Sequence, residues 1–135
     1  MTLEITKNSV DVGVVVRDGE KAIAFYGGVL GLPADAMPQM PMPGGVMHRF
    51  VAGESVIKLL SFEASPEAAN PPGGIAGGSG FRYFTITVSN LDAAADAAKE
   101  AGHNVPMGPM DIAPGVRICM IEDPDGNWVE LLQMG

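Results

Sequence analysis

Valines crowd the stretch SVDVGVVVRD (9–18), the composition of a buried strand. The next stretch, DGEKAIAFYGGVLG (18–31), changes period. Ala22, Phe25, Tyr26 and Val29 fall on one helical stripe, Asp18 stands where an N-cap belongs, and glycines close the segment. A short helix is predicted there. MPQMPMPGG (37–45) can run extended, but its prolines lack a ladder donor, which keeps it out of the middle of a sheet. VMHRFVAGESVIKLLSF (46–62) predicts two strands around a turn at Gly53. Residues 63–80, EASPEAANPPGGIAGGSG, show no periodicity and read as a Pro/Gly-rich connector. The pattern then restarts. FRYFTITVSN (81–90) predicts a strand, and NLDAAADAAKEAG (90–102) an alanine-rich helix capped by Asn90 and stopped by Gly102. GVRICMIEDPDGNWVELLQ (115–133) predicts a second pair of strands around an Asp-Gly turn.

The restart is an internal repeat with a checkable register. Val16 before the cap Asp18 matches Val88 before the cap Asn90, an offset of 72 residues in both cases. Each half reads strand, helix, strand, strand, strand. The same offset carries Glu130 onto Lys58, and each is a charged residue inside an apolar strand, VIKLLSF and WVELL. A wet strand face explains one such residue easily. Two at equivalent places are less readily accidents of a wet strand face, because side-chain direction alternates along a strand.

Composition narrows the classes. A hydrophobic content of 47% against 18% charged supports a packed core, and 135 residues suit one domain or two fused modules. No apolar run approaches the ~18 residues of a membrane helix, so no membrane partner is expected. MTLEITKNSV lacks the pattern of a signal peptide. The single cysteine, Cys119, excludes an internal disulfide and reads as an inert buried thiol. A soluble cytoplasmic protein is expected. The net charge of −8 argues against nucleic acid as a partner and suits a cationic small molecule, or simply solubility.

DVGVVVRDGEKAIAFYGGVLGLP near the start and IEDPDGNWVELLQ at the end resemble the vicinal oxygen chelate superfamily. That group holds glyoxalase I, extradiol dioxygenases, methylmalonyl-CoA epimerase and the bleomycin-resistance proteins. FRYFTITVSNLDAAADAAKEAGHNV is a weaker match. The resemblance implies an α+β fold of two βαβββ modules whose curled mixed sheets form a ligand-binding cup. It makes residues 1–135 one glyoxalase-like domain, with module one at 8–62, the connector at 63–80 and module two at 81–134.

In metal-dependent members, four inward side chains from the first and fourth strands of each module hold a divalent cation. They are typically His, Glu or Gln, His, and Glu. Carried over by position, they become Asp11, Lys58, Tyr83 and Glu130, and only Glu130 keeps the usual residue. A charged ammonium has no lone pair to ligate a metal. With Lys58 present, the two carboxylates would face three positive charges once a divalent ion entered. No metal and no cofactor is therefore expected. The ammonium of Lys58 would occupy the cation's region, clamped by Glu130 and Asp11. The plainer reading is an internal ion pair of little net stability.

Two functions follow from the resemblance. The first is a metal-independent enzyme of isomerase, epimerase or lyase type, acting on a mostly apolar carbonyl-bearing molecule. Lys58 and Tyr83 would donate to a developing oxyanion. Asp11 or Glu130 would move the proton, given a pKa raised by the apolar cup. The alternative is a non-catalytic small-molecule binder of the bleomycin-resistance type. Met37, Met40, Met42, Met47 and Trp128 would line the cup in either case. His48 and Arg49 alternate in VMHRF, so one of them should also face the ligand, and an inward His48 would shuttle protons. The alanine-rich helix and the long connector suit a homodimer, with or without exchanged modules, or a lid over the cup. A scaffold subunit with no ligand is the third class.

Overall fold

A computed structural model describes residues 1–135. The fold is α+β and consists of two four-stranded mixed sheets, each with one helix. The chain divides into two compact units, Met1–Pro66 and Glu67–Gly135, so the stretch from residue 67 to residue 80 belongs with the second repeat. No helix is long and apolar enough to cross a membrane.

The first unit runs β1 (Val12–Val16), α1 (Gly19–Ile23), β2 (Ala34–Met42), β3 (Gly45–Ala52) and β4 (Ser55–Phe62). Its sheet order is β1-β4-β3-β2, with β1 parallel to β4 and the other pairs antiparallel. β2 carries the prolines and lies on the edge, as the missing donors require. Asp18 caps α1, its carboxylate accepting from the Lys21 N–H at 3.1 Å. The helix then widens into a π-helical turn over Ala24–Val29. Ala22, Phe25 and Tyr26 are fully buried by this face, and the two rings meet edge to face at 4.9 Å. Gly27 makes the close approach possible, because a Cβ there would lie 2.8 Å from the Phe50 ring. Val16, Phe50, Ile57 and Leu59 complete this core.

The second unit runs β5 (Tyr83–Thr87), α2 (Leu91–Glu100), β6 (Met107–Ala113), β7 (Val116–Glu122) and β8 (Trp128–Met134), in the order β5-β8-β7-β6. Its core is thinner on the helix side: Leu91, Ala95 and Ala98 are buried there, with Cys119, Ile121, Val129 and Leu131. Asn90 holds the N-cap position but makes no side-chain bond to the helix. Gln133 of β8 does that work instead, accepting from the Leu91 N–H at 3.0 Å and tying helix to sheet.

The repeat is visible in the pairing. Gly13 lies opposite Lys58, and Thr85 lies opposite Glu130, which reproduces the 72-residue offset in the backbone. The β7–β8 turn differs from its counterpart. Buried Asp123 organises it, accepting from the N–H of Asp125 (2.9 Å), the N–H of Asn127 (2.8 Å) and the Asn127 amide (3.0 Å).

The segment without periodicity is not a free strap. It contains one 3-10 turn, Ile75–Gly77. Arg82 holds it by donating to Gly74 O (2.6 Å), Pro71 O (2.8 Å) and Asn70 Oδ1 (3.4 Å). Asn70 in turn donates to Gly126 O (3.3 Å) and Asn127 Oδ1 (3.2 Å).

Candidate functional site

In each unit the helix covers one sheet face, and alternation assigns the remaining side chains to the other. In the first unit this helix-free face carries Val15, Met47, Arg49, Lys58 and Leu60, read from the pairs Val15–Leu60, Met47–Leu60 and Arg49–Lys58. Lys58 is half-buried at its centre. Its neighbour across β1 is Gly13, which has no side chain to cover it. Within this unit Lys58 makes no ion pair. Arg49 beside it is neutralised by Asp35 of β2 at 3.1 Å, and that bond holds the Asp35 carboxyl below the usual carboxylate range.

Asp11 departs from the expected clamp on Lys58. Its Oδ1 accepts from the Lys7 ammonium and from the Val56 N–H, both at 2.8 Å. Asp11 precedes β1, and its carboxylate caps the Val56 amide at the start of β4 rather than clamping Lys58. The Lys7 bond first, and the Val56 N–H second, push its pKa below the ordinary value, while the charge of Lys58 is the weakest of the contributing causes. A general base at neutral pH needs the opposite shift.

The alternation of His48 and Arg49 is resolved by the fold. Arg49 shares the face of Lys58. His48 lies on the helix side, with its Nε2 3.9 Å from where a Gly19 Cβ would stand. The methionines spread out: Met40 and Met47 oppose each other across β2 and β3, Met42 opposes Gly45, and Met37 is exposed on the edge.

In the second unit the helix-free face brings Tyr83, Thr85, Trp128 and Glu130 together. Tyr83 pairs with Trp128 at one end of β5 and is 45% exposed. Glu130 is half-buried and accepts from the Thr85 hydroxyl at 2.7 Å. Thr85 was not anticipated from the sequence, although the repeat offset from Gly13 and the alternation of FRYFTITV both mark its place. Asp35 and Arg82 were missed as well, because their partners are distant in sequence or are backbone oxygens. Cys119 is buried, and desolvation raises its pKa, which leaves it an unreactive thiol at neutral pH.

Comparison with known proteins agrees with this architecture. The model of the Glyoxalase/Bleomycin resistance protein/Dioxygenase superfamily matches residues 9–131. The chain belongs to that superfamily. No curated protein matches the sequence. Among solved structures, a glyoxylase/bleomycin resistance protein/dioxygenase domain from Frankia sp. EAN1pec superposes with a TM-score of 0.78 at 16% identity, over 97% of this chain and 94% of that one. A glyoxalase family protein from Bacillus cereus gives 0.75 at 19% identity, over 97% and 99%. TnmS3, an antibiotic binding protein from Streptomyces sp. CB03234, gives 0.65 at 23% identity, over 94% and 97%.

The family's metal can be tested against these residues. Lys58 offers an ammonium where a ligand is needed, and Asp11 has its Oδ1 committed to two donors. Asp11 and Glu130 are the two carboxylates among the four positions, and Asp11 is already held by Lys7 and the Val56 N–H. Taken unit by unit, neither Asp11 with Lys58 nor Tyr83 with Glu130 is a ligand set that fits a divalent cation.

Proposed function

We propose that the chain is a small-molecule binding protein of this superfamily, holding a mostly apolar ligand on a helix-free sheet face without a metal. The observation that carries this reading is Asp11. A carboxylate already bonded to Lys7 and Val56 N–H, and made more acidic by them, is a poor base for an enolisable substrate. Met47, Leu60 and Tyr83 supply adaptable apolar and aromatic surface, and Lys58 and Glu130 supply one charge per face. Such sites select ligands by shape and by a few polar contacts. A homodimer in the cytoplasm is the setting this reading expects.

A second reading keeps a metal-independent isomerase or lyase. It is favoured by the 2.7 Å bond between Thr85 and Glu130, with Tyr83 on the same face. Glu130 would move the proton, and the Tyr83 hydroxyl would steady an oxyanion.

One set of experiments separates the two. The full chain, purified natively, is analysed by mass spectrometry for retained ligands, and apolar compounds are then titrated by calorimetry. Binding predicts that Lys58→Ala and Glu130→Gln each weaken affinity about tenfold, with the ligand recovered unchanged. Conversion of a carbonyl compound that disappears in Glu130→Gln and persists in Asp11→Asn would install the enzymatic reading. Stoichiometric metal whose removal abolishes ligand binding would overturn both.

A further inference from the structure

A cavity of about 340 Å³ opens in the second unit, within the range of small-ligand pockets. Its walls are the stretch from residue 70 to residue 74, Arg82, Glu122 at the end of β7, Asp125 and Gly126 of the β7–β8 turn, and Trp128 at the start of β8. Of the residues on the helix-free face of this unit, Trp128 alone lines it.

The groups around it have distinct chemistry. Arg82 spends its donors on the chain itself, bonding Gly74 O, Pro71 O and Asn70 Oδ1, and its positive charge against Glu122 and Asp125 leaves the lining at a net single negative charge. Glu122 receives one bond at the rim, from the Asn104 amide to Oε2 at 3.4 Å. Its Oε1 leans over Gly126, 3.4 Å from where a Cβ would be. Asp125 adds a second carboxylate. The indole of Trp128 forms the apolar surface, and Gly74 crosses it closely: a Cβ there would lie 2.8 Å from Trp128 Cη2. Gly74 also has a φ of 71°, which disfavours any side chain.

Two carboxylates beside an indole select for a positive charge on a flat apolar body. The acids supply the charge-assisted hydrogen bonds, and the ring supplies apolar contact and cation–π attraction. An anion would meet two carboxylates, and the one guanidinium in the lining has its donors committed to Gly74, Pro71 and Asn70. A neutral ligand would desolvate them without compensation. Hydrogen bonds hold both walls: Asp123 sets the turn while Asn70 and Arg82 fasten the opposite side.

We propose that this cavity is a binding site for a small organic cation, an amidinium or ammonium on an aromatic or aliphatic body, held by Glu122, Asp125 and Trp128. The proposal goes beyond the function argued above. It uses neither Lys58 nor Glu130 and stands whether the ligand of the sheet faces is found or not.

Trp128 is the only tryptophan in the chain, so intrinsic fluorescence reports from one indole, which borders this cavity and the adjoining sheet face, and Glu122→Gln assigns the response to the cavity. The full chain is titrated with benzamidinium, with benzamide as the neutral isostere and with benzoate as the anion. A saturable change is expected with benzamidinium in the millimolar range, at least about tenfold weaker with benzamide and absent with benzoate. Glu122→Gln should weaken benzamidinium about tenfold while keeping the Asn104 bond. Gly74→Ala should remove the response by pushing the indole aside, with circular dichroism confirming the fold. Asp96→Asn, which deletes the same charge from the exposed side of α2, should leave affinity unchanged. No saturable response to benzamidinium would overturn the proposal. So would equal affinity for benzamide, or equal weakening by Asp96→Asn.

Discussion

The two units share a backbone plan and differ in what they do with it. Both place a charged residue in the fourth strand at the same register, beside the first strand. In the first unit that residue is Lys58, across from Gly13 and next to Arg49. In the second it is Glu130, across from Thr85, whose hydroxyl it accepts. The helices differ in the opposite sense. The first packs Phe25 and Tyr26 with a π-helical turn, whereas the second packs little more than alanine and borrows Gln133 for its cap. Register is set by ladder hydrogen bonds and hydrophobic alternation, which tolerate any side chain of suitable size. Charge and hydroxyl placement can therefore diverge after duplication while the fold persists.

This comparison can be pressed hardest in the cores. Leu59 and Leu131 are repeat equivalents, and both are buried. Leucine to alanine at either should cost about 3 kcal/mol in chemical denaturation. A much smaller loss at Leu131 would mean that the alanine-packed unit collapses around the gap.

The helix caps come next. Asp18→Ala and Gln133→Ala should each cost about 1 kcal/mol, while Asn90→Ala should cost close to nothing. Thermal unfolding of the three variants measures this. A large loss for Asn90→Ala would restore it as the cap.

The smallest effect concerns Asp11, whose equivalent in the second unit is Tyr83. Because its folded pKa is lowered by Lys7 and Val56 N–H, the Asp11 carboxylate stabilises the fold fully above its ordinary value of 3.8. That stability is lost as pH falls through the lower folded value. Asp11→Asn should thus lower Tm slightly at neutral pH and converge with the parent in acid. Tyr83→Phe should show no such trend. A gap between Asp11→Asn and the parent that widens in acid would reverse the sign and refute the bonding described.

Much of the fold could be read directly. Offset, helix stripe, edge placement of the proline segment and the Lys58–Glu130 equivalence all arise from periodicity, which the chain carries locally. The site was less legible. Lys58 and Glu130 were marked by being charged in apolar strands, and Tyr83 by register. The partners were not: Asp11 turned to an amide of β4, His48 faced the helix, and Arg82 bound carbonyl oxygens that have no residue signature.

By itself the sequence determined two repeats of βαβββ, their mutual register and which strand positions break the apolar pattern. Those follow from side-chain alternation and backbone propensity within short windows. Only the tertiary structure decided which donor each carboxylate meets, which face His48 and Arg49 take, and that a stretch without period is pinned into a cavity wall. Such pairings join residues far apart in the chain, and their geometry exists only once the sheet has brought those backbones to within hydrogen-bond distance.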